Sequence, residues 1–150
     1  MSDSIEKTIE LKAPVSRVWR ALTDHVEFGT WFGVRVEGPF VVGQIARGQK
    51  TNPCYANLEW KAVITAMEPE RLFAFTWQPY AVDPDHDYSG EAPTLVTFTL
   101  TPIPGGTLLR VVESGFDKIP AHRRAEALQR NEGGWTIQMQ NIAEFLAHAR

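Results

Sequence analysis

A chain of 150 residues suits one domain, residues 1–150, long enough to hide about two-thirds of the surface that its unfolded form exposes. Its 15 basic and 18 acidic residues leave a net charge of -3, and the basic ones are scattered, which argues against nucleic acid as a partner. No apolar run is long enough for membrane insertion, the opening MSDSIEKTIE is unlike a signal peptide, and lone Cys54 lacks a second thiol for a disulfide or metal site; a cytoplasmic protein without metal or cofactor is expected.

The first element, IEKTIELKA, reads as a strand of period two from Lys7 to Lys12. Pro14 then opens a helix whose Val15, Val18, Trp19 and Leu22 form a narrow apolar stripe at i, i+3, i+4 and i+7. Val26 to Phe32 reads as a second short helix or turn, with Phe28, Trp31 and Phe32 folding back on that stripe.

From Val34 the pattern changes to strands, near Val34–Glu37, Gln44–Gln49, Leu58–Met67, Leu72–Gln78, Thr94–Thr101 and Thr107–Ser114. Turn chemistry at Gly38-Pro39, Glu68-Pro69-Glu70 and Pro102 to Gly106 separates them and predicts antiparallel hairpins. Along the later strands Trp60, Ala62, Ile64, Phe73, Phe75, Trp77, Val96, Phe98, Leu100, Leu109 and Val111 occupy one face. Glu59, Lys61, Thr76, Thr97, Thr99 and Arg110 occupy the other, so one face is covered and one is wetter.

After Pro120 a helical period sets in, with Leu128, Trp135, Met139, Ile142, Phe145, Leu146 and Ala149 along one side. A helix of roughly 28 residues would run about 42 Å, too long to pack on anything but a broad sheet. The order of elements predicts an α+β domain, a sheet covered on one face by this helix. Gly133 and Gly134 interrupt it, each at about 1 kcal/mol relative to Ala; close packing or a ligand pocket beneath the helix would account for them.

The segments IELKAPVSRVWRAL, EPERLFAFTW, LLRVVESGF and the helical GGW with NIAEFL together resemble the heat-shock-protein-90 ATPase activator homologue family. That family belongs to the START-like (Bet v 1-like), or helix-grip, superfamily, which includes polyketide cyclases, pollen-allergen proteins and lipid-transfer domains. The resemblance implies a curved antiparallel sheet gripping the C-terminal helix, two short helices closing one end, and a hydrophobic cavity between. The family's eukaryotic co-chaperones carry a separate N-terminal domain for chaperone binding. Here the first strand opens near Ile5, so that domain is expected to be absent and chaperone activation is not expected.

Trp60, Phe75, Trp77, Phe98 and Trp135, with Met139 on the helix face, are candidate walls for an apolar ligand, and ordinary core packing accounts for the same residues. Glu113 falls by counting on the face of Leu109 and Val111. An inward carboxylate there either serves a ligand or a proton transfer, or is structural, capping a backbone N–H or pairing with Arg123 or Arg124. Asp83, Asp85 and Asp87 begin like a calcium loop, but Tyr88 and Thr94 stand where that loop needs Gly and Glu. A solvated loop is expected, with Tyr80 and Tyr88 near a pocket rim.

His25, His86, His122 and His148 have no metal spacing, and no nucleophilic set converges. The expected function is that of a small-molecule binding protein for a planar or lipid-like ligand. A polyketide cyclase or aromatase in which Glu113, Tyr80 or His122 moves a proton is the alternative, and a chaperone-associated interaction domain is the third. The sequence does not specify an oligomeric state.

Overall fold

The computed structural model describes residues 4–53, 58–79 and 85–148. Strand β1 (Ser4–Leu11) leads into helices α1 (Val15–Thr23) and α2 (His25–Phe32). Six strands follow: β2 (Val34–Val36), β3 (Ile45–Lys50), β4 (Glu59–Glu68), β5 (Leu72–Trp77), β6 (Thr94–Ile103) and β7 (Gly106–Ser114). After a 3-10 turn at Phe116–Lys118, helix α3 (Ala121–His148) covers the full length expected of the terminal helix.

All neighbouring strands are antiparallel, in the order β1-β7-β6-β5-β4-β3-β2. Strands β2 to β7 therefore form a meander, and the α1–α2 excursion carries the chain from one sheet edge to the other. Asp24 makes the break between these helices: it ends α1, and its Oδ1 accepts from the backbone N–H groups of Val26 at 3.0 Å and Glu27 at 3.1 Å. Gly33, at φ 92°, ends α2 in the left-handed conformation that glycine adopts without steric penalty.

Alternation sorts the strands as the sequence predicts. Trp60, Ala62, Ile64, Phe73, Phe75, Val96, Phe98, Leu109 and Val111 are buried, whereas Glu59, Lys61 and Arg110 are exposed. A bulge between Ile64 and Ala66 puts one extra residue into β4 opposite β5, bending that strand and turning Met67 toward Phe73. Each fully buried Phe of this face stabilises the fold by roughly 1.5–3 kcal/mol relative to exposure.

Helix α3 buries Ala127, Trp135, Met139 and Ile142. Leu128, Phe145 and Leu146 of the predicted stripe are only partly buried, and Ala149 lies outside the described residues. The helix backbone runs closest to β1, with α2 also in contact, so it leans toward one edge of the sheet. Over the other half the space is taken up by α2. Phe28 does not fold back only on α1 as the sequence suggests: its ring lies 5.4 to 6.5 Å from those of Phe40, Trp60, Phe73 and Phe75. Trp31 does turn back, donating Nε1–H to the Ala21 carbonyl at 2.8 Å.

Candidate functional site

The covered face converges on one carboxylate. Register places Glu113 between Val96 on β6 and Ile5 on β1, and its side chain is fully buried. Oε1 accepts from Trp135 Nε1 at 2.8 Å and Asn131 Nδ2 at 3.0 Å. Oε2 accepts from Trp77 Nε1 at 2.7 Å, Thr94 Oγ1 at 2.5 Å and Asn131 Nδ2 at 3.2 Å. The donors come from β5, β6 and α3, so one side chain of β7 ties the sheet to the helix.

The expected pairing of Glu113 with Arg123 or Arg124 does not occur. Arg123 is taken by Glu91, at 2.6 Å from Nη2 and 2.8 Å from Nε, and donates Nη1–H to the Pro79 carbonyl at 3.0 Å. Arg124 donates to the Ile119 carbonyl at 2.9 Å and 3.2 Å. The four groups that do serve Glu113 are neutral, and together they occupy both oxygens. A carboxylate held in this way fixes the planes of two indoles.

Those indoles belong to a continuous aromatic basin. Ring centroids of Trp77 and Trp135 are 5.9 Å apart, Phe32 lies 5.9 Å from Trp77 and 6.1 Å from both Trp135 and Trp60, and Phe98 lies 5.6 Å from Trp135. Phe75 joins Trp77 at 5.3 Å and Trp60 at 6.1 Å. The structure thus gathers Trp60, Phe75, Trp77, Phe98, Glu113 and Trp135 into one cluster, with buried Met139 one turn along α3 from Trp135.

Sequence reasoning missed Thr94, Asn131, Phe28 and Phe32. Asn131 had a signal, since it lies four residues before Trp135 on the inward side of α3. Tyr80 and Asp83 lie outside the described residues, and His122 is exposed on the first turn of α3.

Phe28 and Phe32 fill much of the room in which a cavity was expected, and two surface clefts lie elsewhere. One, of about 590 Å³, runs between α2 and the end of α3 along Thr30, Trp31, Asn141, Glu144, Phe145 and His148. The other, of about 430 Å³, borders Lys12–Val15, Pro102, Gly105 and Gly106. At the margin of the basin Phe32 and Trp77 are half-buried.

Gly134 lies on a helix row between Asn131, which reaches Glu113, and Gln138, whose Nε2 donates to the Phe32 carbonyl at 2.9 Å. A Cβ placed on Gly134 would meet nothing within 4 Å among the described residues, and the same holds for exposed Gly133. Close packing therefore does not explain the Gly pair. At Gly134 the row has a notch.

Residues 85–90, in the described part of the loop between β5 and β6, are largely exposed as expected, and Tyr88 and Glu91 clasp this part to α3 through Arg123. His86 Nε2 lies 3.3 Å from Glu91 Oε2, His86 meets the Tyr88 ring edge-on at 4.4 Å, and the Arg123 guanidinium lies over Tyr88 at 4.9 Å. Burial pushes the Glu91 carboxyl up, but hydrogen bonds from Arg123 and His86 and the charges of both outweigh it and hold the group below its ordinary value.

A long helix gripped by a curved antiparallel sheet, with two short helices at one end, defines the helix-grip class of START-like proteins. The chain belongs to the family of Activator of Hsp90 ATPase homolog 1-like proteins, whose family model matches residues 12–147.

Among solved structures, protein MLL2253 from Mesorhizobium loti is 26% identical with a TM-score of 0.77, over 98% of each chain. DynU16, from the dynemicin biosynthetic locus, is 23% identical with a TM-score of 0.77; this chain aligns in full but spans only 49% of it. The Aha1 dimer from Colwellia psychrerythraea is 17% identical with a TM-score of 0.70, over 96% of this chain and 95% of that one. No curated protein sequence matches. No helix among the described residues is long and apolar enough to cross a membrane.

Proposed function

We propose that this protein binds an apolar small molecule, planar or lipid-like, at the margin of the aromatic basin between the sheet and α3. The observation that carries the reading is the notch at Gly134. A helix position has open space beside it among the described residues, and the side chains flanking it reach Glu113, which holds half-buried Trp77, and the carbonyl of half-buried Phe32. Pockets for small ligands are lined mainly by aromatic and aliphatic groups with a few fixed polar ones, and this margin has that composition.

Glu113 acts in this reading through the two indoles it orients. With both oxygens engaged by donors at 2.5 to 3.2 Å, it is a positioning residue for Trp77 and Trp135. The mode of action is passive holding of a ligand, with Trp77 and Phe32 as the contact surface.

Binding of the neutral dye N-phenyl-1-naphthylamine tests the site. Gly134→Leu fills the notch and abolishes the dye's fluorescence gain with the melting temperature kept, whereas Gly133→Leu, on the exposed side, leaves dye binding as it was. Equal binding by both variants would remove the margin as the ligand site.

A further inference from the structure

The larger of the two clefts, about 590 Å³ between α2 and the end of α3, is lined mainly by hydrogen-bond acceptors. Thr30 donates its Oγ1–H to the Val26 carbonyl at 2.8 Å, and Trp31 donates Nε1–H to the Ala21 carbonyl at 2.8 Å. Asn141 donates an amide N–H to Gln138 Oε1 at 3.1 Å. These donors are engaged within the protein. Thr30 Oγ1 and Asn141 Oδ1 accept nothing among the described residues, and the exposed Glu144 carboxylate has no hydrogen bond or ion pair there. His148, the last polar residue of the lining, is exposed, and its ring accepts when neutral.

The backbone has the same sign. Thr30 and Trp31 stand in the last turn of α2, and Glu144, Phe145 and His148 in the last described turns of α3. A helix ends on partial negative charge, which favours a cation within a turn of it. The lining also has an apolar part, the partly buried Phe145 beside Trp31. The Phe145 ring already receives a cation, the Arg17 guanidinium at 5.6 Å from its centroid. Arg17 is itself ion-paired with Glu27 at 2.7 Å and does not line the cleft.

We propose that this cleft is a second ligand site, for a small organic ammonium with an apolar body. The ammonium has three N–H donors, and three acceptors await them: Thr30 Oγ1, Asn141 Oδ1 and the Glu144 carboxylate. The body rests on Phe145. Hydrogen bonds involving an ionised group are about twice as strong as neutral ones, so a neutral alcohol with one donor gains much less. An anion meets acceptors and the like charge of Glu144. The site is independent of the notch at Gly134, and its failure would leave that reading untouched.

The test uses 2-phenylethylammonium, 2-phenylethanol and 3-phenylpropionate, which share a phenyl ring and a two-carbon link and differ in charge. Each is titrated into ¹⁵N-labelled protein while the Trp31 indole and Asn141 side-chain amide resonances are followed. The ammonium should move both resonances and bind at least about tenfold more tightly than the alcohol, with the propionate weakest. Glu144→Gln, at an exposed position, should bring the ammonium's affinity down to that of the alcohol, and Glu144→Asp should recover part of it. Saturating ammonium should leave the fluorescence gain of N-phenyl-1-naphthylamine unchanged.

Equal affinity for ammonium and alcohol, or an ammonium affinity unmoved in Glu144→Gln, would overturn the choice of a cation. Titrations that leave the Trp31 and Asn141 resonances in place would overturn the site itself. Displacement of the neutral dye by the ammonium would overturn it too, because the two sites would then be one.

Discussion

Trp77 on β5 and Trp135 on α3 lie with ring centroids 5.9 Å apart at 30°, and each donates its indole N–H to a different oxygen of Glu113. The sheet and the helix are thus held in register by a shared acceptor as well as by apolar contact. Glu113→Gln replaces one acceptor oxygen with an N–H₂ group facing donors it cannot serve. The variant should lose roughly 1–3 kcal/mol, since charge-assisted bonds weaken and buried donors go unsatisfied. Urea denaturation followed by tryptophan fluorescence measures this; an unchanged midpoint would show that the carboxylate does not hold the interface.

The glycines separate two effects that look alike in sequence. A Cβ on Gly29 in α2 would lie 2.1 Å from the Val34 carbonyl oxygen, which belongs to backbone and cannot swing aside. Gly29→Ala should therefore destabilise by about 1–3 kcal/mol or more through forced backbone movement. Gly133→Ala meets open space on an exposed helix face and should stabilise by up to about 1 kcal/mol. Thermal melts of the two variants should shift in opposite directions.

Most of the framework was legible because burial imposes a period. Two-residue alternation fixed the inward set from Trp60 to Val111, and counting along β7 placed Glu113 inward. The partners of Glu113 were not legible. Thr94 has no pattern of its own, Asn131 shows only its i, i+4 spacing to Trp135, and Arg123 meets a nearer acid in Glu91, contributed by a loop whose path no periodicity describes. The role of α2 was hidden for a related reason. In an eight-residue helix rich in aromatic residues, Phe28, Trp31 and Phe32 fit more than one face, and only the tertiary fold sends Phe28 into the sheet and Trp31 toward α1.

Thr107 anchors the opposite end of the covered face. It is fully buried, and its Oγ1 donates to the Ala13 carbonyl at 2.7 Å, tying the start of β7 to the segment that enters α1. Thr107→Val keeps the shape and leaves that carbonyl without its donor, for a loss of about 1–3 kcal/mol. Thr107→Ser keeps the hydroxyl and should recover part of the loss in the same urea titration. Identical stability of the Val and Ser variants would remove the hydrogen bond as the cause.

The clasp between Glu91 and Arg123 should make stability depend on acid. The two side chains are 10% and 12% exposed, and the folded state holds the Glu91 carboxyl below its ordinary value of 4.5. A carboxylate depressed by folding contributes stability that is fully present above its unfolded pKa. That contribution is lost as pH falls through the folded value, because the unfolded chain then binds the proton more readily. The stability difference between the native protein and Glu91→Gln should therefore be fully present at about pH 5 and shrink as pH falls below about 4.5. Urea midpoints of both proteins across that range measure the gap. A gap that stayed level to about pH 3 would mean that the carboxylate's charge contributes nothing to holding the loop on α3.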